Sequence, residues 1–293
     1  MRRDQPPFLL SRPDHPGMSG GQVVTVVGDF DTGLVEAAVS GRWDAGLKTT
    51  AAGLLRACLV GEPAGVLVDL QGLADPGGAS AALWAAARLW GARTPAVPVV
   101  VCLPPAAPLA GVLARRDTGW DLPVYASVPE ARAALTAGTA RLERLVLHLE
   151  PDGSVLSLVA EMLGEACTDW GLLPLYRPAC AVLTELVANA IEHAGTSIDV
   201  AVTRRRAGLH LAVQDGDRRF PRGPGDVRGD PGDPARRGYG LRLVHAATAA
   251  WGALPTRTGK IVWGTLAIAE ATADRPRQPA ARPLAAPRHG SRR

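Results

Sequence analysis

The sequence predicts an α/β protein in two halves: a mixed sheet with covering helices, followed by an antiparallel α/β sandwich. Three observations carry this expectation. The chain has 293 residues, more than one compact domain usually needs. From about Val23 onward, short β-branched runs alternate with longer Ala/Leu stretches, as strands alternating with helices do. Midway, the segment 137–144 breaks that alternation with Gly138 and a cluster of charges, which places a boundary there.

In the first half, Pro6, Pro7, Pro13 and Pro16 mark residues 1–20 as a disordered lead. VVTVV (23–27) and LVEAAV (34–39) are expected to be strands, and 44–60, with Leu47, Leu54, Leu55 and Cys58, a helix. Then come a strand at 66–70, an Ala-rich helix at 79–90, a strand at 97–103 and a helix at 109–115. A strand at 122–126 and a helix at 129–135 close this unit, which spans 21–138.

The second unit, 143–270, opens with the strand LVLHLE (145–150) and an amphipathic helix, 154–170. A second helix is expected over 177–193, its apolar stripe being Leu183, Leu186, Val187, Ala190 and Ile191. IDVAVTRR (198–205) and GLHLAVQD (208–215) alternate like the strands of a hairpin. The Gly/Pro/Asp/Arg stretch 216–238 reads as a long mobile loop, 239–252 as a helix and 260–269 as a closing strand. Residues 271–293 read as a disordered basic tail.

The net charge of +4 is almost entirely arginine, since Lys48 and Lys260 are the only lysines. The tail holds six arginines against one acid, Asp274, which already exceeds that surplus. A nucleic-acid surface needs basic charge on a folded face, so no direct nucleic-acid partner is expected. Cys58, Cys102, Cys167 and Cys180 are scattered without zinc-ligand spacing and read as reduced thiols of a cytoplasmic protein. Asp4, Pro6 and Pro7 interrupt any apolar signal region, and no run of 18 apolar residues follows, so no membrane association is expected.

Four groups of residues could carry chemistry. In TELVANAIEHA (184–194), Glu185 and Asn189 are four apart and share a helix face, with Glu192 beyond them. A solvated polar face explains such a pair, and so does an amide oxygen offered to Mg²⁺. Asp215 ends a strand and Gly216 follows at once, either an Asp-Gly turn or a carboxylate placed to accept from an exocyclic amine. Gly238 and Gly240 precede a helix whose N-terminus could cradle phosphate, although a helix start after a loop explains them equally. Lys260 opens the last strand as a surface lysine or a phosphate contact.

Taken in order, ELVANAIEHA, VQDG, a lid-like loop, GYGLRLV and GKIVW resemble the ATP-binding domain of the GHKL superfamily, the Bergerat α/β sandwich. Within it the resemblance is to anti-sigma-factor serine kinases and actinobacterial histidine-kinase-like ATPases, over about 145–270. The resemblance implies ATP and Mg²⁺ as cofactors. Asn189 becomes the Mg²⁺ ligand, Asp215 the adenine reader and Glu185 the base that deprotonates an attacking serine. His193, Gly216, Gly238, Gly240, Leu241, Lys260 and Thr265 complete the implied nucleotide-binding set. One departure stands out: the family's Asp-x-Gly is replaced by Asp215-Gly216-Asp217.

VSGRWDA (39–45), LVDLQGL (67–73) and YASVPEARAAL (125–135) likewise resemble a STAS domain, the fold of anti-sigma-factor antagonists, over roughly 23–138. The phosphorylated serine of that family would fall at Gly78 or Ala79, and only Ser80 nearby offers a hydroxyl. Together these resemblances imply a partner-switching regulator that phosphorylates a STAS-type anti-sigma factor antagonist in trans, or binds a sigma factor, with a homodimer as a further partner. The alternative is a non-catalytic adaptor in which nucleotide sets only the conformation. Autophosphorylation of Ser80 is a third reading. A histidine kinase proper is disfavoured, because no long helical hairpin presents an H-E or H-D pair.

Overall fold

The computed structural model describes residues 8–9, 21–93, 97–114, 121–139, 143–150, 155–206, 208–221 and 239–268. The basic tail, most of the expected lid and Gly238 lie outside the described residues. Among the described residues no helix is long and apolar enough to cross a membrane.

The first half contains β2 (Val23–Gly28), β3 (Leu34–Arg42), α1 (Ala45–Val60), β4 (Gly65–Asp69), β5 (Leu73–Ala74), α2 (Ala81–Gly91), β6 (Val99–Cys102), α3 (Pro108–Leu113), β7 (Val124–Tyr125) and α4 (Val128–Thr139). Its sheet runs β2-β3-β4-β6-β7, antiparallel only between β2 and β3. Four-residue β6, VVVC, is buried throughout, as a strand covered on both faces requires. One face packs Val66, Val68, Val99 and Val101 against Leu47 and Leu55 of α1 and Trp84 of α2. The other packs Leu67, Val100 and Cys102 against Ala131 and Leu135 of α4. Helix α1 starts where expected because the carboxylate of Asp44 accepts the amide of Leu47, 2.8 Å away.

The second half contains β8 (Arg144–Leu149), α5 (Val155–Asp169), α6 (Leu173–Ala194), β9 (Ile198–Arg205), β10 (Gly208–Asp215), α7 (Tyr239–Ala247), β11 (Ala250–Pro255) and β12 (Lys260–Ala267). The order is β11-β12-β10-β9-β8, antiparallel at every step. Helices α5, α6 and α7 bury Met162, Leu163, Leu183, Leu186, Val187 and Val244 against one sheet face.

Three expectations need correction. The lead is not wholly without structure, since β1 (Phe8–Leu9) pairs in parallel with Gly252–Ala253 at the sheet edge. The helix expected over 239–252 stops at Ala247, and Ala250–Pro255 is a strand. Thr248 ends the helix by donating its hydroxyl to the Val244 carbonyl at 2.7 Å, and the Ala249 amide then bonds Thr265 across the sheet. An apolar run such as AATAAWG suits a buried helix or a buried strand equally well. Finally, α6 begins at Leu173 rather than Arg177, with Pro174 in the first turn and Pro178 inside the helix. Pro178 costs one backbone bond near the N-terminus, where few are yet made.

The second face of the β8–β12 sheet does not meet solvent. Ala201, Ala212, Leu254, Ile261 and Trp263 join the hydrophobic cluster of the first half. Ile261 and Leu254 lie against Gly28 at the end of β2, and the Trp263 ring lies against Gly61 after α1.

Candidate functional site

Helix α6 turns Leu175, Ala179, Val182, Leu183, Leu186, Val187 and Ala190 inward, so the positions between them form its outer face. Glu185 and Asn189 sit half-buried on that face, while Glu192 and His193 are exposed nearer its end. The start of α7 crosses directly over the first pair. A methyl group placed on Gly240 would stand 2.2 Å from Glu185 Oε2 and 3.8 Å from Asn189 Nδ2. The atom met is the far end of the flexible Glu185 side chain, so the close approach does not by itself require glycine. The Asn189 Nδ2 atom is buried and has no hydrogen-bond partner among the described residues. An amide's oxygen and nitrogen are interchangeable by a flip of the side chain, so Asn189 holds an unsatisfied polar atom beside the Glu185 carboxylate.

A second group of residues gathers about two turns further along α6. The Gly216 amide donates to Thr196 Oγ1 at 3.0 Å, just beyond the left-handed Gly195 that ends the helix. Asp215 shares the inward face of β10 with Leu211 and Val213, and is 3% exposed. Its register partner across the sheet is Lys260. Lys260 is not the surface residue that its position at a strand start suggests. It is 5% exposed, and its Nζ donates to Asp215 Oδ1 at 2.8 Å and to the Asp217 carbonyl at 3.1 Å. Gly259 makes this possible, because a methyl group there would overlap the Asp215 carbonyl.

Asp215 Oδ1 also accepts the Asp217 amide at 2.8 Å, so one carboxylate oxygen serves two donors. Burial raises the Asp215 pKa, and the hydrogen bond and charge of Lys260 oppose that rise. The neighbouring Asp217 is held below the usual carboxylate range by the amide and side chain of Arg219 and by Lys260, against the effect of desolvation. The altered Asp-Gly-Asp sequence therefore builds an ion-paired corner. Thr196 is the member that sequence reasoning missed, since no spacing rule marks a hydroxyl two residues after a helix, and Asp217 stood out only as a departure from the family pattern and not as a partner of Lys260.

The remaining expected residues separate from these two groups. Leu241 is a core residue packed with Val244 and Trp251. Thr265 lies on the opposite sheet face, with Ile261 and Trp263, and its hydroxyl donates to the Ala250 carbonyl at 3.2 Å. Strand alternation forces this, because Val262 and Leu266 face the helices.

The serine near the expected acceptor position in the first half is also structural. Ser80 has no exposed surface; its hydroxyl accepts from Trp84 Nε1 and its amide donates to Asp75, both at 2.8 Å. Asp75 takes the Ala79 amide as well, and so caps α2 from outside the helix. All four cysteines are free, and burial pushes the Cys58 thiol up to about 12. Among the described residues no three His, Cys, Asp or Glu side chains gather as a metal cluster.

The chain is similar over 43% of its length to a solved structure described as the crystal structure of an anti-sigma factor antagonist from Mycobacterium paratuberculosis, 98% of which is covered, at 20% identity and a TM-score of 0.33. No protein-family model and no curated protein matches the chain.

Proposed function

We propose that the chain binds Mg-ATP over the outer face of α6 and acts as a cytoplasmic partner-switching regulator that phosphorylates a STAS-type anti-sigma factor antagonist. The observation that carries this reading is the Gly240 backbone laid across Glu185 and Asn189, with the buried Asn189 amide nitrogen lacking a hydrogen-bond partner among the described residues. Those residues fit the phosphate and metal end of a nucleotide. Asn189 would hold the metal through its amide oxygen. Bound Mg²⁺ neutralises charge on the phosphates, and phosphoryl transfer otherwise depends on positioning. Glu185 takes the proton of the incoming serine hydroxyl as that oxygen bonds to the γ-phosphorus and the bond to the β-phosphate oxygen breaks, leaving ADP. The N-terminus of α7, with the Gly240 amide in its first turn, would offer donors to the phosphates.

The test is calorimetric titration with ATP, with and without Mg²⁺, followed by radiolabel transfer to candidate antagonist proteins. Mg²⁺-dependent binding and labelling that Glu185→Ala abolishes is the expected result. Equal labelling by wild type and Glu185→Ala removes Glu185 from the reaction, and no nucleotide binding sinks the proposal.

A second reading, the non-catalytic adaptor, is favoured by one observation. Asp215 Oδ1 already serves Lys260 and the Asp217 amide, which fits an adenine reader poorly. ATP binding with no transfer to any antagonist supports the adaptor.

A further inference from the structure

The sheet of the second half treats its two edges differently. Along β11 the chain lays its own β1, Phe8–Leu9, beside Gly252–Ala253. Along β8, at the other edge, no strand is added among the described residues. The Arg204 amide donates to the Glu143 carbonyl at 2.8 Å, and the register runs on from there without a bulge, Leu145 against Val202 and Leu147 against Val200. In an antiparallel pair every second residue exchanges both of its backbone bonds with its neighbour. Leu145, Leu147 and Leu149 therefore bond to β9, and the N–H and C=O groups of Arg144, Val146 and His148 point out from the edge.

Sheet edges in soluble proteins are ordinarily blunted by proline, lysine, a bulge or a very short strand. Strand β8 has six residues, RLVLHL, and none of these devices. Its two polar side chains are turned to neighbours in the same chain: Arg144 donates to the Phe30 and Asp31 carbonyls, and His148 pairs with Asp199. Val146, between them, is 36% exposed.

The residues of β8 also match themselves. Set antiparallel to a second copy about Leu147, the strand places Leu147 opposite Leu147, Leu145 opposite Leu149, Val146 opposite His148 and Arg144 opposite Glu150. Leucine then meets leucine on the side covered by the helices, and each end brings opposite charges together. Centring on Val146 instead sets Arg144 against His148. The end pairs choose the register rather than supply the energy, since exposed pairs contribute only about 0–1 kcal/mol.

We infer that β8 is the interface through which two copies of this chain join edge to edge, continuing the sheet across a twofold axis. Such an axis makes the pairing antiparallel and self-complementary. Association stops at two copies, because each sheet spends its β8 edge in the pair and carries β1 on the other. The interface is separate from the outer face of α6 and does not rest on the nucleotide reading. Pairing one edge strand buries less than a standard interface, so the dimer is weak and depends on concentration.

The test is sedimentation velocity of the full-length protein across a concentration series, which is expected to show a monomer–dimer equilibrium. Val146→Pro deletes an N–H that bonds to no strand among the described residues, and proline is tolerated on a sheet edge. This variant should keep the melting temperature and lose the dimer. Val146→Lys, which puts a charge on the edge, replaces it if Val146→Pro does not fold. Hydrogen exchange adds a readout by residue: the Val146 and His148 amides should slow as concentration rises, while the Leu147 amide, already bonded to β9, should not change. A chain that stays monomeric at every concentration overturns the interface. So does a dimer that persists in both variants, or one whose formation leaves the Val146 and His148 amides unchanged. Oligomers larger than two overturn the twofold arrangement.

Discussion

Lys260 and Asp215 form an ion pair whose side chains are 7% and 2% exposed, beneath the loop that leads out of β10. Removing one partner of such a pair leaves the other as an uncompensated buried charge, which costs about 3–5 kcal/mol. Lys260→Met is therefore expected to lower stability by about that amount in urea denaturation at neutral pH. Lys260→Met with Asp215→Leu should recover most of the loss, because no buried charge is left behind. If the single variant costs no more than an exposed pair does, about 0–1 kcal/mol, the pair is not holding this corner. The sequence points to Asp215 and to Lys260 separately. Only the register of β10 against β12 makes them partners.

At the level of elements, the N-terminus of α2 shows how a motif position is turned to structural use. Asp75 receives the Ala79 and Ser80 amides, and Ser80 receives the Trp84 indole N–H, so the loop that would offer a phosphorylated serine is closed on itself. Incubation with Mg-ATP is expected to leave Ser80 unmodified by mass spectrometry. Ser80→Ala should destabilise by about 1–3 kcal/mol through the orphaned Trp84 N–H. Phosphate found on Ser80 would mean that this turn opens.

Among the other elements, β9 and β10 fall at the residues that their alternating pattern marks, because each buries one face on the helices and sets hydrophobic residues at every second position. Strand β11 does not follow such a pattern. All its residues after Ala250 are buried, so its sequence carries no alternation. The helix face of the candidate site was legible because Glu185 and Asn189 stand four residues apart, outside the apolar stripe and on one face. The crossing of Gly240 over them was not, since it depends on where α7 lands after a long intervening segment.

On the scale of the whole molecule, the two halves share a hydrophobic cluster through Ile261, Leu254 and Trp263. His210 stacks on Trp263 in this layer, with ring centroids 5.9 Å apart. Burial there, together with the charges of Arg205 and Arg144, pushes its pKa down to about 3. A histidine that resists protonation when folded and accepts a proton near pH 6.5 when unfolded favours unfolding as pH falls. Its contribution is complete above about pH 6.5 and declines toward about pH 3, by up to about 1.4 kcal/mol per pH unit. Urea denaturation of wild type between pH 7 and pH 4.5 should show this slope, and His210→Gln should lose most of it. An unchanged slope in the variant would place the pH dependence elsewhere.

The order of residues alone determined the mixed α/β class, most strands and helices, and the polar face of α6. These follow from local periodicity and capping, which a chain carries wherever it folds. Tertiary structure alone decided that β11 is a strand, that Lys260 pairs with Asp215, that Thr265 faces away from α6, and that the outer sheet face closes on the first half. Those outcomes depend on register and on the packing of residues distant in the chain, and no local pattern encodes which distant surface will cover a given face.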